Sequence, residues 1–260
     1  MKKVISITAL FIISCQNSVE IDTTKNTASD PIADITYLND IFYTTNLDLS
    51  GNAGPQIDLY QFDSLTNPVN RFALPLNGQG YLAICNDGSN LYLQPRFTDY
   101  IFKITPLGEI FWHQSDNFSD NTSETTSTFM YWRGRGLAWA DTTLVVLYRH
   151  KDDSTLYRGR YLHVNNDILE TVLDITVTWD HLNSNGAYAM EYDPDTQKFW
   201  VLGTNSLNQY IRFQVDFDLQ NPYDIRELVG IPMGITMGPD SRSYSSYPER
   251  QIKEIELLPN

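Results

Sequence analysis

A self-similarity with a period near 50 residues constrains this chain more than any single motif. Five stretches can be laid on one another: "ADITYLNDIFYT" from Ala33, "GYLAICNDGSNLYL" from Gly80, "GLAWADTTLVVLY" from Gly136, "GAYAMEYDPDTQKFWVLG" from Gly186 and "GITMGPDSRSYSSY" from Gly234. The intervals are 47, 56, 50 and 48 residues. Each stretch begins with a small residue and a short apolar strand, turns at an Asn-Asp, Asp-Gly or Asp-Pro-Asp type sequence, and returns as an aromatic or β-branched strand. That is hairpin chemistry. A third strand follows in every unit: "IDLYQFD", "YIFKIT", "YRGRYLHV", "YIRFQVD" and "RQIKEIEL". Four units then add a fourth: "NRFALPL", "EIFWHQ", "ILETVLDI" and "DIRELVGI".

Four antiparallel strands recurring at this period are the signature of propeller blades around a central channel. The expected fold class is all-β, a β-propeller of five four-stranded blades over residues 33–260. Each blade is apolar on both faces and is buried only by stacking on its neighbours, and an aromatic content of 13% supplies the bulk between blades. The units resemble those of the NHL-repeat propellers: inner strand, Asp-Gly-type turn, aromatic strand, then a strand ending near a Gly turn, as in "ITPLGEIFW". The resemblance spans nearly all of the chain but consists of structural residues, so it implies a fold and not a function. The competing architectures are a pair of β-sandwiches, which lack such a self-similarity, and a six-bladed ring with one degenerate unit. The last unit has no fourth strand. Either Ser18–Thr24, with its Val19, Ile21 and Thr23 alternation, is borrowed to cover the edge, or the edge is blunted by Lys253, Glu254 and Glu256. "ERQIKEIELL" also carries the spacing of a short helix.

The N-terminal region reads as an address. Lys2 and Lys3 precede an apolar run from Val4 to Ile13, ten residues where a membrane-spanning helix needs about 20. Ile12-Ile13-Ser14-Cys15 resembles the lipobox of bacterial lipoproteins, which implies cleavage before Cys15 and diacylglycerol on its sulfur. Residues 1–14 are then a signal peptide, and 15–32 a flexible polar tether. The propeller would be held to a membrane of the bacterial envelope through Cys15, at the outer membrane or cell surface rather than the inner membrane. A second polar stretch, Ser115–Thr128, reads as a long surface loop.

Loss of residues 1–14 removes two lysines and no acid, so the net charge moves from −14 to −16. Nucleic acid requires clustered Lys and Arg to displace counterions, and an anionic membrane surface requires a polybasic patch; the chain offers neither. With Cys15 acylated, Cys85 in "GYLAIC" has no partner for a disulfide and reads as a small buried hydrophobe.

Chemical motifs are scarce. There is no Walker loop, dinucleotide-binding glycine pattern, Gly-x-Ser-x-Gly elbow or zinc-type His/Cys cluster, and no catalytic residue, cofactor or metal is assigned. Asp193-Pro194-Asp195-Thr196 has oxygen donors for calcium, but it is too short to surround an ion and reads as a hairpin turn. "SNGAYAMEYDPDTQKFWV" from Ser184 resembles the inner-strand entry of the gluconolactonase-like propellers, where the asparagine, here Asn185, helps hold a divalent metal. That family also needs an Asp before the Gly of the next blade, where this chain has Met233, and a Glu in the first blade, where it has Asp34 in a different context. The implied site is incomplete.

Architecture supplies the remaining candidate. Loops leading into the inner strands surround one mouth of the channel, and here they carry Gln79, "YWRGRG" from Tyr131, "WDHLNSNG" from Trp179 and "GIPMG" from Gly230. Trp132, Arg133, Arg135, His181 and Asn185 form an aromatic, partly basic mouth on an acidic protein. Such a mouth suits a peptide, a sugar or an anionic group, because Arg forks bind carboxylates and Trp fills or stacks in pockets. The alternative is that the arginines pair with neighbouring acids and Trp132 packs between blades. Three functions stay open: non-enzymatic binding of a ligand or protein partner, a scaffold for envelope assembly, and a metal-dependent lactonase- or esterase-like hydrolase.

Overall fold

The computed structural model describes residues 32–46, 56–73, 81–95, 100–115, 132–150, 152–165, 168–247 and 251–258. The leader, Cys15, the tether, most of the 115–128 loop and the Ser18–Thr24 segment lie outside them. Among the described residues there is no helix. Within "RQIKEIEL", Gln251–Glu254 forms a strand rather than a helical turn.

The described residues form nineteen strands in five antiparallel sheets, each laid down in chain order. The first holds β1 (Ile32–Leu38), β2 (Ile41–Asn46), β3 (Gln56–Gln61) and β4 (Asn70–Ala73). The second holds β5 (Tyr81–Asn86), β6 (Leu91–Pro95), β7 (Tyr100–Ile104) and β8 (Ile110–Ser115). The third and longest holds β9 (Trp132–Ala140), β10 (Thr143–His150), β11 (Leu156–Asn165) and β12 (Ile168–Thr178). The fourth holds β13 (Leu182–Asp193), β14 (Lys198–Asn205), β15 (Tyr210–Val215) and β16 (Tyr223–Glu227), and the fifth β17 (Thr236–Met237), β18 (Ser243–Tyr247) and β19 (Gln251–Glu254).

The inner strands close a ring: β1 touches β5, β5 touches β9, β9 touches β13, β13 touches β17, and the pair β17 and β18 returns to β1. Five hydrophobic clusters correspond one to one with the five blade interfaces. This is a five-bladed propeller, with four strands in the first four blades and three described in the fifth.

The inner turns are built as their sequences require. Asp193 Oδ1 accepts from the backbone N–H of Asp195 and Thr196 at 3.0 and 3.4 Å, which makes "DPDT" a side-chain-braced hairpin turn. Asp87 accepts from Ser89, Asn90 and Tyr92 in the same way. These turns set Asp40, Asp87, Asp141, Asp193 and Asp240 at the end of the molecule opposite the starts of the inner strands.

The interfaces differ in depth. Among the described residues, eighteen buried hydrophobic residues join blades three and four, including Trp179, Tyr157 and Phe213, but only five join blades four and five and five join blades five and one. Polar bonds cross the thin seams as well. Asp34, on β1, accepts from the backbone N–H of Ile35 at 2.9 Å and of Ile84 in blade two at 3.1 Å, and is also hydrogen-bonded by the backbone of Ile235 in blade five. Gly234 packs directly on it, since a Cβ there would lie 2.4 Å from Asp34 Oδ1 and 2.6 Å from its Cα. The Ile252 N–H on the outer edge of β19 donates to the Leu65 carbonyl of blade one at 3.1 Å. The tail after β19 folds back on blade four, where Val229 N–H donates to the Glu256 carbonyl and Leu258 N–H to the Glu227 carbonyl.

Candidate functional site

Because β1, β5, β9, β13 and β17 all run away from the same mouth, each second strand returns to it. The last turns of β2, β6, β10 and β18 therefore stand beside the first residues of the inner strands. Thr45 Oγ1, Gln94 Oε1 and Ser246 Oγ lie at these strand ends, whereas Tyr188 sits in the middle of β13 with its ring edge-on to Tyr210, in the seam between blades four and five. All four atoms are buried, and among the described residues they have no hydrogen-bond partner. Thr45, Gln94 and Ser246 are fully enclosed as residues. They belong to three different strands and stand at one end of the blades. A buried polar atom left without a partner costs about 1–3 kcal/mol, so three at one level mark a place where stability has been given up.

Blade three concentrates charge at that mouth. The register sets Arg133 opposite Arg149, and a bulge between Leu147 and Tyr148 lodges Arg135 between Gly134 and Gly136. Both glycines are required by close packing: a Cβ on Gly134 would meet Gln94 Oε1 at 2.5 Å, and one on Gly136 would meet Met190 Cβ at 3.0 Å. Gln94 Nε2 donates to Tyr148 OH at 3.1 Å. Trp132 stands edge-on to His150, with ring centroids 5.1 Å apart, under the guanidinium of Arg158. It is half-buried against the seam between blades two and three.

The "SNG" loop is held against these arginines. Asn183 Oδ1 accepts from Asn185 N–H at 2.8 Å and from Gly186 N–H at 3.3 Å, and Asn183 Nδ2 donates to Asn208 Oδ1 at 2.8 Å. Arg149 Nη1 donates to the Ser184 carbonyl at 2.5 Å, while Tyr157 OH accepts from Ala187 N–H at 2.7 Å. Gly186 takes φ +66°, and a Cβ there would lie 2.2 Å from Tyr157 OH. The loop is thus fixed from both sides, and it presents Ser184 and Asn185 to solvent. Burial pushes the Tyr157 phenol up to about 12; the Ala187 N–H and the positive charges of Arg149 and Arg135 oppose that rise.

The sequence therefore brings Trp132, Arg133, Arg135 and Asn185 to one mouth, but His181 faces elsewhere. Its half-buried ring lies edge-on to Phe213 of β15, 4.7 Å between centroids, and burial holds its pKa below the usual histidine range. Gln79 and Tyr131 lie outside the described residues. Gln94, Arg149, Tyr157 and Asn183 were not singled out from the sequence. Each sits within a strand pattern that reads as structural, and only the register reveals the shared mouth.

Deeper in the ring lie Asp34 and Glu191. Glu191 is only partly covered as a residue, whereas its carboxyl is enclosed by protein; burial and then the nearby Asp34 charge push it well above the usual carboxylate range, against hydrogen bonds from Met237 N–H and Thr236. Burial also raises Asp34, against its three backbone donors. Cys85 is enclosed nearby, its thiol pushed up first by burial and then by Glu191 and Asp34. Among the described residues no three His, Cys, Asp or Glu side chains gather to hold a metal ion.

No protein-family model matches the chain, and no curated protein matches it. Solved structures do. The chain is similar to a glutaminyl cyclase of Myxococcus xanthus, with TM-score 0.57 and 12% identity over 88% of this chain and 91% of that one. It is also similar to a chain of a nidogen/laminin complex, with TM-score 0.51 and 11% identity over 88% of this chain and 80% of that one. At such identities the likeness is one of fold alone, and it agrees with the β-propeller drawn from the repeat.

Proposed function

We propose that this protein is a lipid-anchored component of the bacterial envelope whose propeller binds a small polar ligand at the mouth where the inner strands begin, without transforming it. The observation that carries the reading is the set of three buried polar atoms at that mouth, from Thr45, Gln94 and Ser246, that have no partner among the described residues. A ligand, with the waters it orders, would complete their hydrogen bonds. The Asp34 carboxyl is enclosed and tied to three blades. It accordingly serves the ring, and a reaction at the channel centre finds no open base there. The anchor rests on the Ile12–Cys15 sequence, and partners are a membrane through Cys15 and a peptide, sugar or other small ligand, with no nucleic acid.

Two experiments test this reading. A thermal-shift screen of the full chain against neutral, cationic and anionic polar compounds is expected to yield a saturable rise in midpoint; no rise with any compound would refute binding. Alkynyl fatty acid fed to cells is expected to label the wild type and not Cys15→Ser. Equal label in both would sink the anchor.

A further inference from the structure

We infer that the cleft between blades one and five, at the end of the ring opposite the mouth, is a second binding site, and that it takes a primary alkylammonium group on an aliphatic stem. The cleft has a volume of about 530 Å³ and is lined by Asn39, Asp40, Ile41, Gln61, Phe62, Asp63 and Pro239. Small-ligand sites span roughly 300–1,000 Å³. It shares no residue with the mouth. Its walls are hairpin ends of the two blades. Leu38 pairs with Ile41 across a turn in which Asn39 and Asp40 take φ +51° and +63°, and Ile41 pairs in turn with Gln61, which brings Phe62 and Asp63 alongside. Pro239, between β17 and β18, lines the blade-five side. Phe62 is 37% exposed. Its ring is braced by Phe42, stacked at 6.2 Å between centroids, and by Tyr244, edge-on at 5.8 Å, so the uncovered part stands as a fixed aromatic wall.

The polar part of the lining favours a cation with hydrogens to donate. Among the described residues the Asp63 carboxylate has no hydrogen-bond or ion-pair partner, and Asp40 forms no ion pair, its Oδ1 accepting only from Tyr37 OH at 2.8 Å. Arg242, in the adjacent turn of blade five, is engaged by Asp240 and Glu254. No Lys, Arg or His lines the cleft among the described residues. An ammonium offers three donors and no acceptor, which the two carboxylates and an amide oxygen of Asn39 or Gln61 can take up. The face of Phe62 attracts the same charge through its ring quadrupole. Ile41 and Pro239 supply the apolar surface along which a methylene stem lies. A bare metal ion fits less well, because no three acids gather among the described residues and a hard cation needs several oxygen ligands.

Isothermal titration of the full chain at low salt with n-pentylamine, 1-pentanol and pentanoate tests this. Pentylamine is expected to bind at least tenfold more tightly than pentanol, with pentanoate weakest, and to lose affinity as salt rises. Asp63→Asn is expected to weaken the amine at least threefold, whereas Asp195→Asn, which removes the same charge from the exposed turn of blade four, leaves it unchanged. An acetylated and amidated Ala-Lys-Ala peptide separates the two sources of such a group: affinity equal to that of pentylamine assigns the cleft to a lysine side chain of a partner protein, and weaker affinity assigns it to a free amine. Hydrogen exchange with the amine is expected to protect residues 39–41 and 61–63. No amine binding, equal binding of amine and alcohol, preference for pentanoate, or protection at 183–187 instead would overturn the inference. So would equal losses in the Asp63 and Asp195 variants, since they would mean attraction by net charge alone. None of these outcomes bears on the mouth.

Discussion

Replacing Glu191 with glutamine is expected to stabilise the protein at neutral and alkaline pH, by an amount that grows with pH. Glu191 lies well above the usual carboxylate range because burial and the Asp34 charge disfavour its ionised form. A group whose folded pKa exceeds its unfolded value, about 4.3 for glutamate, withdraws stability as pH rises from the unfolded pKa through the folded one. Glutamine does not titrate. Its amide oxygen still accepts from Met237 N–H, and its NH2 donates to Thr236 Oγ1, as a protonated glutamate would. At pH 4 the two proteins should therefore agree within about 1 kcal/mol, the scale of one hydrogen bond. Above that pH each pKa unit of elevation separates them by about 1.4 kcal/mol, and for a chain of this size each kcal/mol moves the midpoint by about 2–4 °C. Thermal midpoints by circular dichroism, taken from pH 4 to 9, give the difference curve. A variant that grows less stable than wild type as pH rises would refute the reasoning, because it would mean that Glu191 is ionised and held by something positive.

Gly234→Ala should destabilise strongly, by about 2–5 kcal/mol in chemical denaturation, because its Cβ meets Asp34 and the Ile35 nitrogen, which are backbone-fixed; a change under about 0.5 kcal/mol would mean that blades five and one are not closed as described. Trp132→Ala is expected to cost about 1–3 kcal/mol through lost packing at the second seam, whereas Arg135→Gln should stay within about 1 kcal/mol; the reverse order in denaturant midpoints would contradict the placement of the two side chains. His181 is held below the usual histidine range by burial, so the unfolded chain binds the extra proton first and stability falls as pH drops below about 6.5. His181→Phe should flatten that part of the stability curve, and an unchanged curve would show that the ring is not buried neutral.

The ring was legible because blade strands obey local rules. "ADITYL", "LAICN" and "AYAMEY" announce inner strands by a small opening residue, apolar alternation and an Asx turn, and the third and fourth strands fall where "YIFKIT" and "EIFWHQ" place them. The polar ties at the closing seams were not. Asp34 registered only as a departure from a metal-site pattern, because the donors that hold it, from Ile84 and Ile235, lie 50 residues or more away in sequence. The edge of the last blade is met by the Leu65 carbonyl, which no periodicity announces. At the mouth, Trp132, Arg133, Arg135 and Asn185 were readable from loop position, but Arg149 and Tyr157 look like ordinary strand residues until the register sets them beside the "SNG" loop.

The most direct test of the binding mouth is hydrogen exchange of the full chain with and without a saturating amount of the neutral or anionic compound that raises the thermal midpoint most in the screen. Protection is expected at the start of β9 around residues 133–136, at the end of β10 around 148–150, and across 183–187, with the turns at Asp40, Asp87, Asp141 and Asp240 unchanged. Protection confined to those aspartate turns, or none at any of the three segments, would contradict the account.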